Sequence, residues 1–477
     1  FIKGFLYFTA QTTKKRRGAD MIREKHTQMH IFETLLPFQL ITCDPELEKI
    51  DRILDENPIF LHDFIALMAT RAKNSKTKGC GTKPAETILR MILLRRTYSL
   101  PLRETIKQVN DSLVLRKFTR IYYNSVPCYS TLCRYDNLVD EAFLEKLNAA
   151  IVDIAREKKI TKGRKMRTDT TVVEADVHYP TDSRQLYDGV RVLSRVAQKC
   201  RKLGAACGET VRDFTRSAKK QLLNIIKYAT ARSDDGHEQF KKNYKKLTQI
   251  TKRALCNAQK QIDALTDRVE REAIAIKSEI EHFVPIIQKV VEQTERRLFK
   301  GESVPNDEKV FSIFQPDVYC IRKGKSGKPN EFGKKVRFDQ SDGKIITKWK
   351  IYDNNVSDSD TFIPAIEHHI KQFSKAPYLA AGDRGCHSAD NERRAEKLGV
   401  KRISLPKRGK KSKKRSEHEK QRWFKAGQRF RAGSEGTISV LKRRHGLNRC
   451  LNRGDNAFER WIGWAVIGAN LLTIAQA

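Results

Sequence analysis

Residues 167–183 read RTDTTVVEADVHYPTDS. Thr170, Thr171, Val172 and Val173 are β-branched and favour a pleated strand. Aspartate is depleted in strands, yet Asp169 heads this run. A carboxylate carried into a sheet is costly unless something positive meets it. Taken alone, Asp169 reads as a strand-end or turn acid. As a metal ligand it needs carboxylates from elsewhere in the chain to converge on it.

Outward from this strand, expected over 166–174, the pattern is helical on both sides. Downstream, 184–300 is rich in Lys, Arg, Glu and Gln, with Leu247, Ile250, Ile262, Leu265 and Val269 at helical spacing. It predicts an all-α insertion of helical hairpins or a coiled pair. Strands are expected again at VFSIF (310–314), VYCIR (318–322), KKVRF (334–338) and IITKWKIY (345–352), with Asp342-Gly343 as a hairpin turn. Then follow a helix at 359–374, the strand YLAAGD (378–383), a helix at 388–398, the strand RISLP (402–406) and a mostly helical remainder. Without the insertion the order is β-β-β-α-β-α-β-α, the element order of an α/β, ribonuclease-H-like mixed sheet flanked by helices.

Upstream, 21–83 mixes helical pieces and loops, ending in the polar connector NSKTKGCGTKP (74–84). Residues 84–160 read as short helices starting at Pro84, Pro101 and Ser130. Arg90, Arg95, Arg96, Arg103, Lys107, Arg116, Lys117 and Arg120 among them fit a helix-turn-helix-like DNA-binding unit, or equally a bundle with solvated basic faces. The expected organisation is therefore 21–83, a helical domain 84–160, a catalytic domain from 161–183 and 301–477, and the insertion 184–300.

The chain has 477 residues, a formal net charge of +37 and a pI near 9.9, so it attracts polyanions, nucleic acid first. The apolar run WAVIGANLLTIA (464–475) is too short to span a bilayer and carries Asn470 and Thr473, so it reads as a core helix and no membrane partner is expected. Ten cysteines without CxxC spacing suit neither a disulfide scaffold nor a zinc site, and reduced thiols in a cytoplasmic compartment are expected. Residues 1–20 lack a methionine and have the wrong charge order for a secretory signal, so Met21 is the expected natural start. His178, His368, His369 and His387 share no ligand spacing, and Trp423, Trp461 and Trp464 read as core residues on amphipathic helices.

Two further acids stand in suggestive places. Asp383 ends YLAAGD and is followed by Arg384 and Gly385, a turn at a strand tip where ligand chemistry is commonly built. Glu435 lies in RFRAGSEGTISVLKRRHGL (429–447), four residues after Arg431 and seven before Lys442, on one helix face. That pair could be an ordinary surface ion pair. If the strands 166–174 and 378–383 are neighbours and this helix crosses their ends, three carboxylates converge and need a cation. Hard oxygen donors favour Mg²⁺ or Mn²⁺.

The stretches DTTVVEADVHYPTDSRQLYDGVRVL, QPDVYCIRKGKSGKPNEFGKKV, AAGDRGCHS and RAGSEGTISVLKRRHGL resemble those of DDE transposases of bacterial insertion sequences, most closely the ISNCY-type group. The resemblance implies Asp169, Asp383 and Glu435 as a catalytic, metal-binding triad, with two ions of Mg²⁺ or Mn²⁺. It implies Arg431 and Lys442 as DNA-phosphate contacts near the scissile bond. Gln428 takes the family's tyrosine position, and Cys386 an aromatic one. The run KRGKKSKKR, with Lys407, Arg408, Lys410, Lys411, Lys413, Lys414 and Arg415, reads as a solvated loop or a DNA-backbone contact; the tip IRKGKSGKP (321–329) reads likewise.

The implied enzyme cleaves element ends and joins the 3′-hydroxyl to target DNA. Its partners are terminal inverted repeats, target DNA and at least one further copy of itself, in a bacterial cytoplasm at the nucleoid. The competing readings are a nuclease of the same fold without strand transfer and a non-catalytic DNA-binding protein.

Overall fold

The computed structural model describes residues 22–25, 44–71, 83–204, 212–322, 330–353 and 356–477. Residues 1–21 and the tip at 323–329 lie outside these, and with them the readings of the start and of that basic tip.

Ahead of the sheet run α1 (Pro45–Glu56), α2 (Ile59–Ala69), α3 (Ala85–Thr97), α4 (Leu102–Asp111), α5 (Leu113–Phe118), α6 (Tyr129–Asp136) and α7 (Glu141–Glu157). Ser112 and Asp140 cap α5 and α7 by accepting from Leu115 N and Phe143 N. α3 is buried along its whole length. Its Arg90 is ion-paired to Asp51, Asp55 and Glu86, and Arg95 and Arg96 both meet Asp136. Arg120 joins the same acids as Arg90. These four arginines are therefore structural cations. The basic face of this region is carried by residues such as Arg103 and Lys107, which are exposed.

β1 (Lys165–Ala175) follows, then α8 (Asp182–Lys202), α9 (Thr215–Tyr228), α10 (Asp234–Leu265) and α11 (Arg271–Leu298), the all-α insertion. It has its own apolar core, from Leu186 and Val190 on α8 to Leu247 on α10 and Ile287 on α11. β2 (Tyr319–Arg322), β3 (Asn330–Ser341) and β4 (Ile346–Tyr352) come next, with Gly343 at φ 76° in the hairpin turn as the Asp-Gly pair requires. Then come α12 (Asp358–Phe373), β5 (Leu379–Ala381), α13 (Ala389–Lys397), β6 (Arg402–Ser404), α14 (Lys413–Lys420), α15 (Arg422–Arg444), β7 (Arg449–Cys450) and α16 (Asp455–Gln476).

The seven-stranded sheet is mixed, with the order β2-β3-β1-β5-β6. β4 pairs with β3, and β7 with the far end of β1. β1 runs antiparallel to β3 and parallel to β5. The ribonuclease-H-like α/β expectation thus holds, with a helical N-terminal region. VFSIF is not a strand. Val310, Phe311 and Ile313 are buried, but side chains satisfy their backbone. Gln185 donates to Phe311 O and accepts from Ile313 N, while Gln293 does the same at Val310. Two glutamines on insertion helices do here what a neighbouring strand would do.

The apolar run 464–475 is a core helix, as expected: α16 shares one core with α1–α3, α7, β3 and β4. Asn470 is tolerated there because it accepts from Ile346 N at 2.9 Å and donates to Ile346 O and Asn148 Oδ1, both at 2.8 Å. No helix among the described residues is long and apolar enough to cross a membrane.

Candidate active site

The parallel register of β1 and β5 sets Arg167 opposite Ala381. Two residues further along each chain stand Asp169 and Asp383, so the pairing delivers two acids side by side where β5 ends. Side chains alternate along β1, so Arg167 and Asp169 face one helix layer and Thr168 and Thr170 the other. On the first side lies α15. Phe424, Gly427 and Ser434 are its buried positions nearest the sheet, spaced three and seven apart.

Four contacts pin α15. A Cβ on Gly427 would stand 2.7 Å from Ser404 Cβ, so only glycine lets the helix meet β6 this closely. Gln428 Nε2 donates to Ser404 O at 2.8 Å and to Ser404 Oγ at 2.9 Å. Arg167 donates to Phe430 O at 2.6 Å and stacks on the Phe430 ring. Ser434 Oγ donates to Asp169 Oδ2 at 2.7 Å. Gln428, in the position where the resembled family has tyrosine, thus ties α15 to the ends of two strands.

Asp169 is largely buried, and burial raises its pKa. The Ser434 hydroxyl and Arg431 pull it back, while neighbouring Asp383 pushes it up again. Arg431 bridges two of the three predicted acids: Nη2 lies 3.1 Å from Asp169 Oδ2, and Nη1 2.8 Å from Glu435 Oε1. Asp383 Oδ1 accepts from Gly385 N at 2.8 Å and Cys386 N at 3.1 Å, which fixes the turn after β5. The Cys386 thiol is held far above its usual range by burial and by Asp383.

Asp169 and Asp383 are therefore neighbours, whereas Glu435 reaches only Arg431, with its side chain 68 % exposed, so the expected convergence of three carboxylates is not closed. Among the described residues no three His, Cys, Asp or Glu side chains are gathered closely enough to hold an ion. The donor chemistry nonetheless fits a hard divalent cation: all-oxygen donors, and a buried carboxylate whose raised pKa a positive charge would relieve.

From the other face, Asp358 of α12 accepts from Thr170 Oγ1 at 2.9 Å and pairs with Lys335 at 2.6 Å. Its Oδ2 lies 2.7 Å from where a Cβ on Gly385 would stand, so this acid abuts the turn after Asp383. No spacing in the sequence points to Asp358, because its partners come from β1, β3 and a turn.

The basic run 407–415 is a loop only to Ser412, and helix α14 begins at Lys413. Ser412 caps that helix by accepting from Arg415 N. Two of its cations are already committed. Arg415 pairs with Glu392 and Glu419, and Lys411 pairs with Glu419, which these partners drive down to a pKa of about 2 against the effect of burial. Lys407, Arg408, Lys410, Lys413 and Lys414 are exposed. Arg408 reaches back to the Gly385 turn. Asp383, Arg384, Lys411, Lys425 and Arg431 line one open cleft of about 460 Å³. Lys442 lies half-buried near the other end of α15, two turns beyond Glu435. Trp464 is fully buried, as expected of a core residue; Trp423 and Trp461 are half-buried.

Two protein-family models match the chain. A transposase domain (DUF772) covers residues 37–138, and a transposase DDE domain covers 368–475. Comparison with curated proteins and with solved structures gave no match.

Proposed function

We propose, on the premise that the chain is a DDE transposase of insertion sequences, that it cleaves the ends of its element and joins the freed 3′-hydroxyl to target DNA. The observation that carries this reading is the juxtaposition of Asp169 and Asp383 on parallel strands, with a helix bearing Arg431 and Glu435 laid across them.

Asp169, Asp383 and Glu435 are the residues that would hold two divalent ions, Mg²⁺ or Mn²⁺. Bound there, such ions stabilise the charge that develops on phosphoryl oxygens and sharpen an attacking oxygen. The rest is positioning. Ser434 and the Thr170 amide orient the Asp169 carboxylate, and the Gly385 and Cys386 amides orient Asp383. Arg431 and Lys442 hold DNA phosphates by charge-assisted contacts. Lys407, Arg408, Lys410, Lys413 and Lys414, exposed beside the cleft, hold the backbone further out without reading sequence. Lys411 and Arg415 shape that loop through Glu419.

Helices α4–α6, inside the matched 37–138 region, present Tyr129, Ser130 and Arg134 outward on α6 and supply the surface that recognises inverted repeats. At least two copies bring two ends together, in the bacterial cytoplasm at the nucleoid.

Asp169→Asn, Asp383→Asn and Glu435→Gln, each alone, are expected to lower Mg²⁺-dependent cleavage of an end-containing duplex by at least about 100-fold, as loss of charge stabilisation does. Three variants with unimpaired cleavage would end the assignment. Scoring joined product separates a transposase from a nuclease on the same fold. The two ion pairs of Arg431 with Asp169 and Glu435 favour the non-catalytic reading, which predicts DNA binding with no Mg²⁺-dependent cutting.

A further inference from the structure

The insertion distributes its charge unevenly. Helix α11 carries five acids and five Lys or Arg over 271–298. Its Glu279 takes Arg195 and Lys199 of α8, and its Glu295 takes Lys252 of α10. That side of the bundle is stitched by cross-helix pairs and is close to neutral.

The α9–α10 side is different. No acid occurs over 214–233 or over 239–262, where twelve Lys or Arg fall. Lys246, Arg253 and Lys260 are seven apart, so they line one stripe of α10, with Lys242 one turn before. On α9, Lys219 and Lys220 are adjacent and Lys227 follows seven residues after Lys220, all on the outward face. All seven are exposed, and none of them pairs with an acid among the described residues. The apolar faces of both helices turn inward: Leu222 and Ile225 on α9 and Leu247 on α10 are in the core. The cations are therefore free to meet a partner without disturbing the bundle.

From Lys242 to Lys260 is about 27 Å along the helix. That equals roughly eight base pairs of duplex, each presenting phosphates at about 3.4 Å rise. We infer that the α9–α10 face of the insertion is a second DNA-backbone surface, binding duplex phosphates without sequence choice. The inference rests on the proposed DNA-acting function for its partner, yet uses none of the active-site residues. A row of side-chain cations matched in length to most of a helical turn is the complement of a duplex. The acid-free face would otherwise carry only mutual repulsion.

The test is binding, measured by fluorescence anisotropy on a mixed-sequence duplex of about 40 base pairs, without divalent metal and across a salt series. The full-length variants are K242Q/K246Q/R253Q/K260Q and K219Q/K220Q/K227Q, with circular dichroism and thermal melting as folding controls. For the fourfold variant the slope of log K against log salt should fall by about 3 to 4, at about 0.9 per lost phosphate contact, with affinity at least about tenfold weaker near 0.1 M salt. Wild-type slope and affinity in both variants would overturn the inference. So would variants that bind DNA normally but lose self-association in sedimentation, which would give the face to a second copy. Failure of the wild-type protein to bind duplex at all would instead overturn the reading of the chain as a DNA-acting protein.

Discussion

At Gly433 a Cβ would lie 2.3 Å from Arg167 Nη1, and that guanidinium is buried and committed to Phe430 O and Gln340. Gly433→Ala must either lift α15 or break the clamp. It is expected to cost about 1–3 kcal/mol in thermal or urea unfolding, as overpacking does. It should also reduce cleavage beyond what the stability loss explains, since α15 carries Arg431 and Glu435. Equal activity per folded molecule would show that the clamp does not position the site. Asp169 and Asp383 drew notice in the chain because each stands out locally, Asp169 as an acid inside a strand run and Asp383 as one at a strand tip before a glycine turn. Ser434, Arg167 and Asp358 break none: a serine on a helix or an arginine in a basic chain carries no signal until the fold supplies its partner.

Elements with strong periodicity and clear turn chemistry were legible from sequence. β1, the Asp342-Gly343 hairpin, the insertion helices and the buried α16 all follow from pattern. VFSIF failed because a five-residue run with four apolar side chains fits a strand or a buried coil equally, and distant Gln185 and Gln293 decided the matter. For the basic residues of 84–120, charge on a helix does not say whether acids wait opposite, and Arg90 is the clearest case. It is 2 % exposed and ion-paired to Asp51, Asp55 and Glu86. Arg90→Ala would strand these acids and is expected to cost about 3–5 kcal/mol in urea unfolding. A change below about 1 kcal/mol would mean that the acids find other partners in Arg120 and solvent.

Over the whole molecule, His445 and His368 are both pushed down to about 4, chiefly by burial. Their folded pKa values lie below the ordinary 6.5, so both are neutral in the fold and protonate more readily once it opens. Each contributes stability that is fully present above pH 6.5 and is lost as pH falls toward 4, roughly 3 kcal/mol apiece. Urea midpoints should therefore drop steeply between pH 7 and 4, and His445→Leu should flatten that dependence. An unchanged slope in the variant would assign the acid sensitivity elsewhere. Fold class was legible at this scale because the order of strands and helices is written linearly. The sharing of one core by the N-terminal helices, β3, β4 and α16 was not, because it joins residues hundreds apart.

The central strand β1 is made long before its neighbours. About 150 residues separate its end from β3, and about 250 separate it from α15. At 5–20 residues per second, β1 waits on the order of ten seconds or more on the ribosome for a partner. The helices that follow it can meanwhile fold around their own core. A polypeptide interrupted before α15 would hold Asp169 and Asp383 without Arg431 and Glu435, so the proposed site stays incomplete until that helix has been made.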